Sequence, residues 1–419
     1  MEPARRLAPL PGWMTDAGTQ AVLAALSAGG SEVRFVGGCV RDAVAGRSVV
    51  DIDIATPEPP ETVVERLHAA GIHSIPTGIA HGTVTAVSGG QHFEVTTLRV
   101  DVETYGRHAK VAFTDDWSED AARRDFTMNA MSCTAVGDVF DPWGGIADLE
   151  AGHVRFVGDA ARRIEEDHLR LLRFFRFHAW YGRGLPDEAA LTACATWAGS
   201  LAALSGERLR NETLKLLAAP DPLPAVDLMI ETRVLAELLP GAAGRDLLAA
   251  LMELDSTTNA SGDSVLRLAA LLREGTAAVD DIAARHKLSN AQAERLRKLV
   301  TPPLDVGAAR DPAAVRLALY RLGAEVFTDL TRLAQASTSR AGEADNARFK
   351  AMLEAAADWK PVSLPVRGAD VLALGIPAGP RVGEILEAVE AWWIAEDFRP
   401  GREAALEKLG ALISAERPD

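Results

Sequence analysis

Two aspartates, Asp51 and Asp53, flank a single isoleucine in the apolar stretch VVDIDIAT. Side chains two residues apart in a β-strand point to the same face. The two carboxylates would therefore share a face, while Ile52 and Ile54 pack behind them. Mg²⁺ prefers such oxygen ligands and keeps substrate phosphates in its coordination shell. The pair predicts a Mg²⁺ site that acts on phosphate esters, although an Asp-x-Asp met alone is more often only solvated.

The glycine pair Gly37-Gly38 precedes these aspartates in FVGGCVRDA. Glycine has no Cβ, so the backbone here could approach a triphosphate closely. A helix is expected to follow, with Arg41 within reach of a phosphate and Asp42 holding the turn. A glycine pair alone is usually a turn. In this order, however, the two features favour a nucleotidyl-transfer site.

Glu94, in HFEVTTLR, is expected on a neighbouring strand. There it could add a third carboxylate to the catalytic pair. The alternative is an ordinary glutamate on the exposed face of a strand, and the residues alone leave both open.

Asp167 and Arg170 are three residues apart in EEDHLRLLRFFRF, a pattern typical of a helix. An aspartate accepts hydrogen bonds and an arginine donates them. Cytosine and adenine each present an amine beside a ring-nitrogen acceptor, whereas uracil and guanine present the reverse order. The pair could therefore select C and A by the polar edge of the base. The alternative is a surface salt bridge.

The chain that must position these groups has 419 residues, enough for two to four domains. Its 48% hydrophobic and 25% charged residues are typical of a globular protein. The net charge of −15 argues against nucleic-acid binding by charge alone. Residues 155–183 hold seven arginines against four acids, so any RNA is expected to bind there.

Three isolated cysteines, Cys39, Cys133 and Cys194, predict neither a zinc ribbon nor a disulfide framework and favour a reducing cytoplasm. The N-terminal segment does not resemble a signal peptide, and the longest apolar runs are too short to span a membrane. A cytoplasmic protein without a membrane partner is expected, and its oligomeric state is left open.

Up to about residue 150, strand and helix signals alternate. EVRFVGGCV and VVDIDIAT are expected as strands, residues 57–70 as a helix, and GTVTAVS with HFEVTTLRV as a hairpin. DVFDPWGGIADLEAG is expected to be an irregular loop. Beyond Asp159 the pattern is helical, and His286 is expected at the surface of those helices. The fold class predicted is α+β, with a small mixed head followed by an all-α neck, body and tail.

Four motifs carry a family resemblance. GGCVRD followed by DID resembles the DNA polymerase β superfamily, and more closely the class II tRNA nucleotidyltransferases (CCA-adding enzymes) and the related bacterial poly(A) polymerases. EDAARRDFTMNAM is similar to the family's second motif, and RIEEDHLRLLRFFRF to its nucleotide-selecting motif. GERLRNETLKLL is similar to the helix that braces the latter. The resemblance covers about the first 220 residues.

The resemblance implies template-independent, Mg²⁺-dependent addition of CCA to tRNA 3′ ends from CTP and ATP. It implies a catalytic head over residues 1–150, a nucleotide-selecting neck over 151–218, a body over 219–300 and a tRNA-binding tail over 301–419. It assigns Arg173 and Arg176 to phosphates. One of Arg123 and Arg124 is expected at the nucleotide, and the other at solvent or at the acids Asp115 and Asp116.

A loop that could move as the site changes from C to A is expected between residues 99 and 113, where Tyr105-Gly106-Arg107 replaces the family's usual Asp-Gly-Arg. The alternative for this segment is an ordinary hairpin loop. Three alternatives stay open. The protein could be a poly(A) polymerase, an enzyme that adds only CC or only A, or a tRNA-binding protein with an inactive site.

Overall fold

The computed structural model describes residues 2–79, 82–105, 108–258, 262–338 and 343–415. Among them the strands are β1 (Arg5–Arg6), β2 (Arg34–Val36), β3 (Ile52–Thr56), β4 (His73–Gly78), β5 (Thr83–Ser88), β6 (Gln91–Thr97), β7 (Arg99–Tyr105), β8 (His108–Phe113), β9 (Ser132–Thr134) and β10 (Asp138–Phe140).

The helices that precede residue 220 are α1 (Gly12–Thr15), α2 (Ala17–Ser27), α3 (Gly38–Val44), α4 (Pro60–Ala69), α5 (Trp117–Ala122), α6 (Gly145–Ala151), α7 (Ala160–Glu166), α8 (Leu169–Tyr181), α9 (Glu188–Trp197) and α10 (Gly206–Leu217). Those that follow are α11 (Leu223–Glu231), α12 (Val234–Leu238), α13 (Arg245–Thr258), α14 (Ser264–Arg273), α15 (Val279–Arg285), α16 (Asn290–Val300), α17 (Pro312–Leu322), α18 (Ala324–Ser337), α19 (Glu343–Ala357), α20 (Gly368–Ala373), α21 (Pro380–Ala395) and α22 (Arg402–Ala415). Short 3₁₀ helices cover Thr127–Asn129, Ala198–Ala203 and Val306–Ala308.

The predicted fold class is confirmed. A mixed sheet of eight strands, in the order β1-β10-β9-β2-β3-β6-β5-β4, occupies the N-terminal part, and β7 pairs with β8 separately. Strand β3 runs parallel to β6, whereas its other neighbour, β2, is antiparallel to it. From residue 160 onward the described residues form helices and loops but no strand.

Local expectations are met where a short pattern decides the structure. β5 and β6 form the predicted hairpin, and Gly89 and Gly90 turn it with φ of 58° and 77°. These are left-handed values that glycine adopts without strain. The helix predicted over residues 57–70 is α4, which begins with a proline, a residue that fits the first helical position because its missing N–H costs nothing there.

Two local predictions were wrong. The strand expected through GGCV ends at Val36, because Gly37 turns the chain and α3 begins at Gly38. The glycine-rich segment expected as a loop contains β10 and α6, whose start is fixed by the carboxylate of Asp141 accepting from two backbone N–H groups. For the segment from 99 to 113, where a hairpin was one of two alternatives, the structure has the β7–β8 hairpin, and the tip residues Gly106 and Arg107 lie outside the described residues.

The described residues divide into two compact units. The first comprises those within 1–242, 262–264 and 276–288, and the second those within 243–261, 265–275 and 289–419. The apolar face of the first unit's sheet is fully buried, with Phe35, Ile54 and Phe93 at 0% exposure. In the second unit α20, α21 and α22 enclose a core that includes Val371, Val389 and Leu409.

His286, expected at the surface, is instead 1% exposed. Its ring Nδ1 lies 3.1 Å from the carbonyl oxygen of Ile282, one turn earlier in the chain. Burial lowers the pKa of this imidazole to about 4. The prediction was wrong because one polar residue in an apolar helical sequence does not reveal which face the helix packs.

Candidate active site

A cleft of about 1020 Å³ lies within the first unit. All the predicted site residues line it, although they come from distant parts of the chain: Gly37, Gly38, Arg41, Asp51, Asp53, Glu94, Arg123, Arg124, Asp167, Arg170, Arg173 and Arg176. Their individual roles stay predictions, but the fold brings every one of them to the same cavity.

Gly37 turns the chain at the base of the cleft with φ 70° and ψ −126°, a conformation that favours glycine. A Cβ built on it would lie 2.9 Å from Nη1 of Arg124 and 3.8 Å from a carboxylate oxygen of Asp53. Any side chain here would be strained and would intrude between the arginine and the aspartate. The backbone at this point is therefore open to the cavity.

The sheet carries three carboxylates into the cleft, and we call Asp51, Asp53 and Glu94 the sheet wall. Asp53 lies opposite Glu94 in the parallel register of β3 and β6. Asp51 is exposed and precedes β3 by one residue. Burial, with the charges of Glu94 and Asp51, raises the pKa of Asp53 to about 6.

Whether the sheet wall could bind a metal ion depends on the donor atoms that it offers. Across the described ranges, no group of three or more His, Cys, Asp or Glu side chains is close enough to form a closed metal cage. A site for Mg²⁺ needs only one or two carboxylates, because water and substrate phosphates complete its octahedral shell. Carboxylates that repel one another beside an open cavity fit such a cation.

Arg41 extends along the base of the cleft and is itself only 9% exposed. Its guanidinium donates to the Asp42 carboxylate at 2.8 and 3.0 Å and to Oδ1 of Asn129 at 2.7 Å. The ring of Tyr181 lies 4.5 Å from the guanidinium carbon. Asp42, which also lines the cleft, therefore accepts hydrogen bonds that orient Arg41.

Arg123 and Arg124 share one buried partner. Arg123 donates to Oδ1 of Asp120 at 2.6 and 2.8 Å, and Arg124 donates to Oδ2 of the same carboxylate at 3.1 Å. Asp120 is 3% exposed, and although burial alone would raise its pKa, the two arginines lower it. The expectation that one arginine faces solvent or the acids Asp115 and Asp116 was wrong.

Helices α8 and α10 form the opposite side of the cleft, and we call Arg170, Arg173, Arg176 and Arg208 the helical wall. Each has a carboxylate partner. Arg173 lies 2.5 Å from Asp125, and Arg176 lies 2.6 Å from Glu212. Burial opposes ionisation of Asp125, but the charge of Arg173 and hydrogen bonds bring its pKa down to about 2.

The helical geometry predicted for Asp167 and Arg170 was wrong. Helix α7 ends at Glu166 and α8 begins at Leu169, so Asp167 lies between two helices with φ −151° and ψ 105°. Its carboxylate accepts from the backbone N–H of Leu169 and from Nη2 of Arg208, the latter at 2.6 and 2.9 Å. Arg170 instead donates to Glu166 at 2.5 Å. The two side chains are oriented separately, yet both line the cleft.

The cleft also contains residues that the sequence reading did not assign. Arg208 and Lys215 lie seven residues apart on α10 with Glu212 between them, so the helical period that places residues at i, i+4 and i+7 on one face was the available signal. His92 precedes Glu94 by two residues in β6, and strand alternation places both on one face.

A sheet that presents carboxylates to a cleft of about 1020 Å³, which arginines of two helices also line, defines a nucleotidyltransferase head joined to a helical domain. Residues 33–155 match the family described as "Poly A polymerase head domain", and residues 186–244 match "Probable RNA and SrmB- binding site of polymerase A". Nucleotidyltransferases of this kind generally use a divalent metal ion.

Whole-length relatives define the family more narrowly. The chain is 33% identical over 387 residues to the mitochondrial CCA tRNA nucleotidyltransferase 1 of Danio rerio, covering 90% of this chain and 87% of the relative. It is 32% identical over 399 residues to the CCA-adding enzyme of Lactobacillus gasseri, covering 93% and 96%. The crystal structure of the Bacillus stearothermophilus CCA-adding enzyme in complex with CTP superposes with a TM-score of 0.77 at 27% identity, covering 97% of this chain and 99% of that chain. This chain belongs to the family of CCA-adding tRNA nucleotidyltransferases.

No helix among the described residues is long and apolar enough to cross a membrane.

Proposed function

We propose that this protein adds CCA to the 3′ ends of tRNA without a nucleic-acid template, using CTP and ATP and releasing pyrophosphate. The observation that carries the proposal is the meeting of all the predicted site residues in one cleft of a chain that belongs to this family. Solved structures with the same fold are described as complexes with CTP, with ATP and with tRNA.

The sheet wall would hold the metal ion. Asp51 and Asp53 are proposed as ligands of Mg²⁺, and Glu94 as a third catalytic carboxylate opposite Asp53. When bound, Mg²⁺ would lower the cost of ionising a hydroxyl nucleophile and of developing negative charge on pyrophosphate. Asp53 and Glu94 share the cavity side of the sheet because their paired strands fix it, and Asp51 reaches the same cavity from the residue before β3.

The open backbone at Gly37 and Gly38 and the guanidinium of Arg41 would seat the triphosphate. Arg123 and Arg124 are held by Asp120 at the same side of the cavity, and we propose that they also contact the nucleotide. Arg173 and Arg176, each paired with a buried carboxylate, are proposed to contact phosphates of the nucleotide or of the RNA 3′ end.

Asp167 and Arg170 are proposed to read the base. The carboxylate accepts from the amine of C or A, and the guanidinium donates to the neighbouring ring nitrogen. Each side chain is oriented by a partner of its own, Arg208 for Asp167 and Glu166 for Arg170. Uracil and guanine would present a carbonyl to the carboxylate and an N–H to the guanidinium, so neither group would gain a hydrogen bond from the base, which is the basis for their rejection.

The reaction follows from this placement. The 3′-hydroxyl oxygen of tRNA attacks the α-phosphorus of the bound nucleotide, and the new phosphodiester bond forms as the bond to pyrophosphate breaks. The hydroxyl proton passes to water in the open cleft as the bond forms, and the arginines neutralise the pyrophosphate that departs.

The predicted division into head (1–150), neck (151–218), body (219–300) and tail (301–419) is part of this proposal, with tRNA held by the tail. We also propose a reducing cytoplasm as the compartment. The three cysteines are free and buried, which supports it, although the vertebrate relatives are named as mitochondrial proteins.

The test is incorporation of labelled CTP and ATP into tRNA that ends at the discriminator base, with UTP and GTP as controls. Ordered addition of two C and one A, abolished by EDTA, is expected. Addition of CC alone or A alone would indicate a partial enzyme, and repeated addition of A to any RNA end would indicate a poly(A) polymerase. tRNA binding without incorporation would indicate an inactive site.

A further inference from the structure

The cations around the cleft differ in whether a carboxylate neutralises them. The seven arginines that line the cavity each form an ion pair with an aspartate or glutamate: Arg41, Arg123, Arg124, Arg170, Arg173, Arg176 and Arg208. Lys215 also lines the cavity, but its exposed ammonium forms no ion pair with any residue that the structure describes. Among the described lysines and arginines of the cleft, Lys215 alone therefore keeps a charge that no carboxylate neutralises.

Two further cations of this kind lie beside Lys215, around Trp180. The indole N–H of Trp180 donates to the backbone carbonyl of Lys215 at 2.8 Å, and Nη2 of Arg47 donates to the backbone carbonyl of Trp180 at 2.7 Å. Arg183 lines a cavity of about 340 Å³ with both Arg47 and Trp180. Within the described ranges, neither Arg47 nor Arg183 pairs with a carboxylate. We call Trp180, Arg47, Arg183 and Lys215 together the Trp180 surface.

The Trp180 surface is positioned rather than flexible. The guanidinium carbon of Arg47 lies 4.3 Å from the centre of the Tyr181 ring, in addition to its hydrogen bond to Trp180. Arg183 donates to the backbone carbonyls of Leu149 and Glu150 at 3.2 and 2.6 Å. Backbone acceptors fix these two guanidinium groups without cancelling their charge, so both retain their attraction for an anion.

The same surface is continuous with the cleft. Ser48 and Val50 line the cleft, and Arg47, one residue earlier in the same loop, lines the smaller cavity. Lys215 lies in the cleft lining and contacts Trp180 through its own carbonyl. Positive groups with a half-buried indole among them, beginning at a catalytic cleft, match the chemistry of single-stranded RNA, in which phosphates alternate with bases that stack on aromatic rings.

We propose that the Trp180 surface binds the unpaired nucleotides of tRNA that immediately precede the growing 3′ end. Arg47, Arg183 and Lys215 contact backbone phosphates, and Trp180 stacks against a base. The inference rests on the proposed function, because it takes tRNA as the substrate whose 3′-hydroxyl occupies the cleft.

The experiment measures tRNA binding by fluorescence anisotropy with the full chain at several salt concentrations, and KM for tRNA and for CTP separately. In Lys215→Gln and in Arg47→Gln we expect the slope of log affinity against log salt to fall by about one per cation removed. When Lys215→Gln and Arg47→Gln are combined, the slope should fall by about two. KM for tRNA should rise while KM for CTP changes far less. Arg47→Lys should restore the salt slope.

Trp180→Ala should behave differently. We expect about a tenfold loss of tRNA affinity with an unchanged salt slope, because stacking releases no counterions. Trp180→Phe should retain most of the affinity. Arg6→Gln is the control, because this exposed arginine lines neither cavity and lies outside residues 155–183, and its loss should leave KM for tRNA as it is.

Two outcomes would overturn the inference. Unchanged slopes in both single variants would show that no phosphate lies on this surface, and a parallel rise of both KM values would place Lys215 at the nucleotide triphosphate instead. Failure of the proposed function gives a different result, because the wild-type protein would then not add two C and one A in order to tRNA, whatever its affinity for RNA. CTP binding by each variant confirms that the cleft remains folded.

Discussion

On the sheet wall, Asp53 and Glu94 lie opposite each other on adjacent strands, and neither carboxylate is hydrogen-bonded to a described cation. On the helical wall, every arginine lies 2.5–2.6 Å from a carboxylate oxygen. On the sheet wall the like charges of neighbouring carboxylates repel each other, whereas on the helical wall each arginine is balanced by a nearby carboxylate. The first therefore has the greater electrostatic gain from binding a cation, whereas the second can present guanidinium groups in fixed orientations.

The difference shows in the pKa values of two aspartates. Burial and the neighbouring carboxylates raise the pKa of Asp53 to about 6, whereas Arg173 and hydrogen bonds outweigh burial and lower that of Asp125 to about 2. The two side chains have the same chemistry, so the neighbours alone decide the sign. At Asp53, burial and the charges of Glu94 and Asp51 outweigh the nearby arginines Arg124 and Arg41, which act to lower the pKa.

The largest effect is expected from removing a sheet-wall carboxylate. Asp53→Ala should lower nucleotide incorporation by about 10³-fold or more, because a metal-ligand site supplies several kcal/mol of transition-state stabilisation. Steady-state incorporation with saturating tRNA measures it. tRNA affinity should stay near the wild-type value, and an equal loss of tRNA binding would mean that Asp53 does not act in the chemical step.

A smaller effect is expected from removing Arg208, the residue of the helical wall that orients Asp167. Arg208→Ala leaves the carboxylate without the guanidinium that orients it, so the ratio of kcat/KM for CTP to that for UTP should fall by about tenfold or more. Arg210→Ala, on the same helix but outside the cleft, is the control. A uniform fall for all nucleotides would assign Arg208 to general folding of the site.

Removing one charge from the sheet wall should stabilise the folded protein. Without added metal, Asp53→Asn is expected to raise the free energy of unfolding at pH 7 by about 2 kcal/mol, since the amide neither repels Glu94 nor costs as much to bury. Urea denaturation measures the change. Added Mg²⁺ should stabilise the wild type and reduce the advantage of the variant, and a destabilised variant would show that the carboxylates do not repel.

The same substitution at Asp125, the partner of Arg173 on the helical wall, should have the opposite effect on stability. Asp125→Asn is expected to lower the free energy of unfolding by about 2 kcal/mol at pH 7, because the ionised carboxylate is the partner of Arg173. The folded pKa lies below the unfolded value, so this contribution is present above about pH 4 and is lost as the pH falls toward 2. Unfolding curves of both proteins across that range should converge at the acidic end.

Much of this site could be predicted because its signals are local. Strand alternation placed Asp51 and Asp53 on the cavity side, and glycine chemistry identified the turn at Gly37. The partners of the arginines could not be predicted in the same way. Arg208 is 41 residues from Asp167 in the chain, and no short pattern specifies that contact.

Local patterns also fail where a side chain interrupts a helix. The spacing of Asp167 and Arg170 is helical, but the Asp167 carboxylate bonds to the N–H of Leu169 and ends the periodicity between α7 and α8. The competition between a side-chain cap and a continuing helix depends on the tertiary contacts around it. The burial of His286 was missed for a related reason, since composition does not show which helix face is covered.

The cleft draws residues from Gly37 at one end of the sequence range to Lys215 at the other. During synthesis from the N-terminus, the ribosome would therefore release the two aspartates long before the helices that face them. At ordinary rates of translation the delay is on the order of 10 s. A nascent chain in that interval has the carboxylates but not the arginines of α8 and α10, so it cannot yet hold a nucleotide between two walls. Activity would begin only when about half of the polypeptide has emerged.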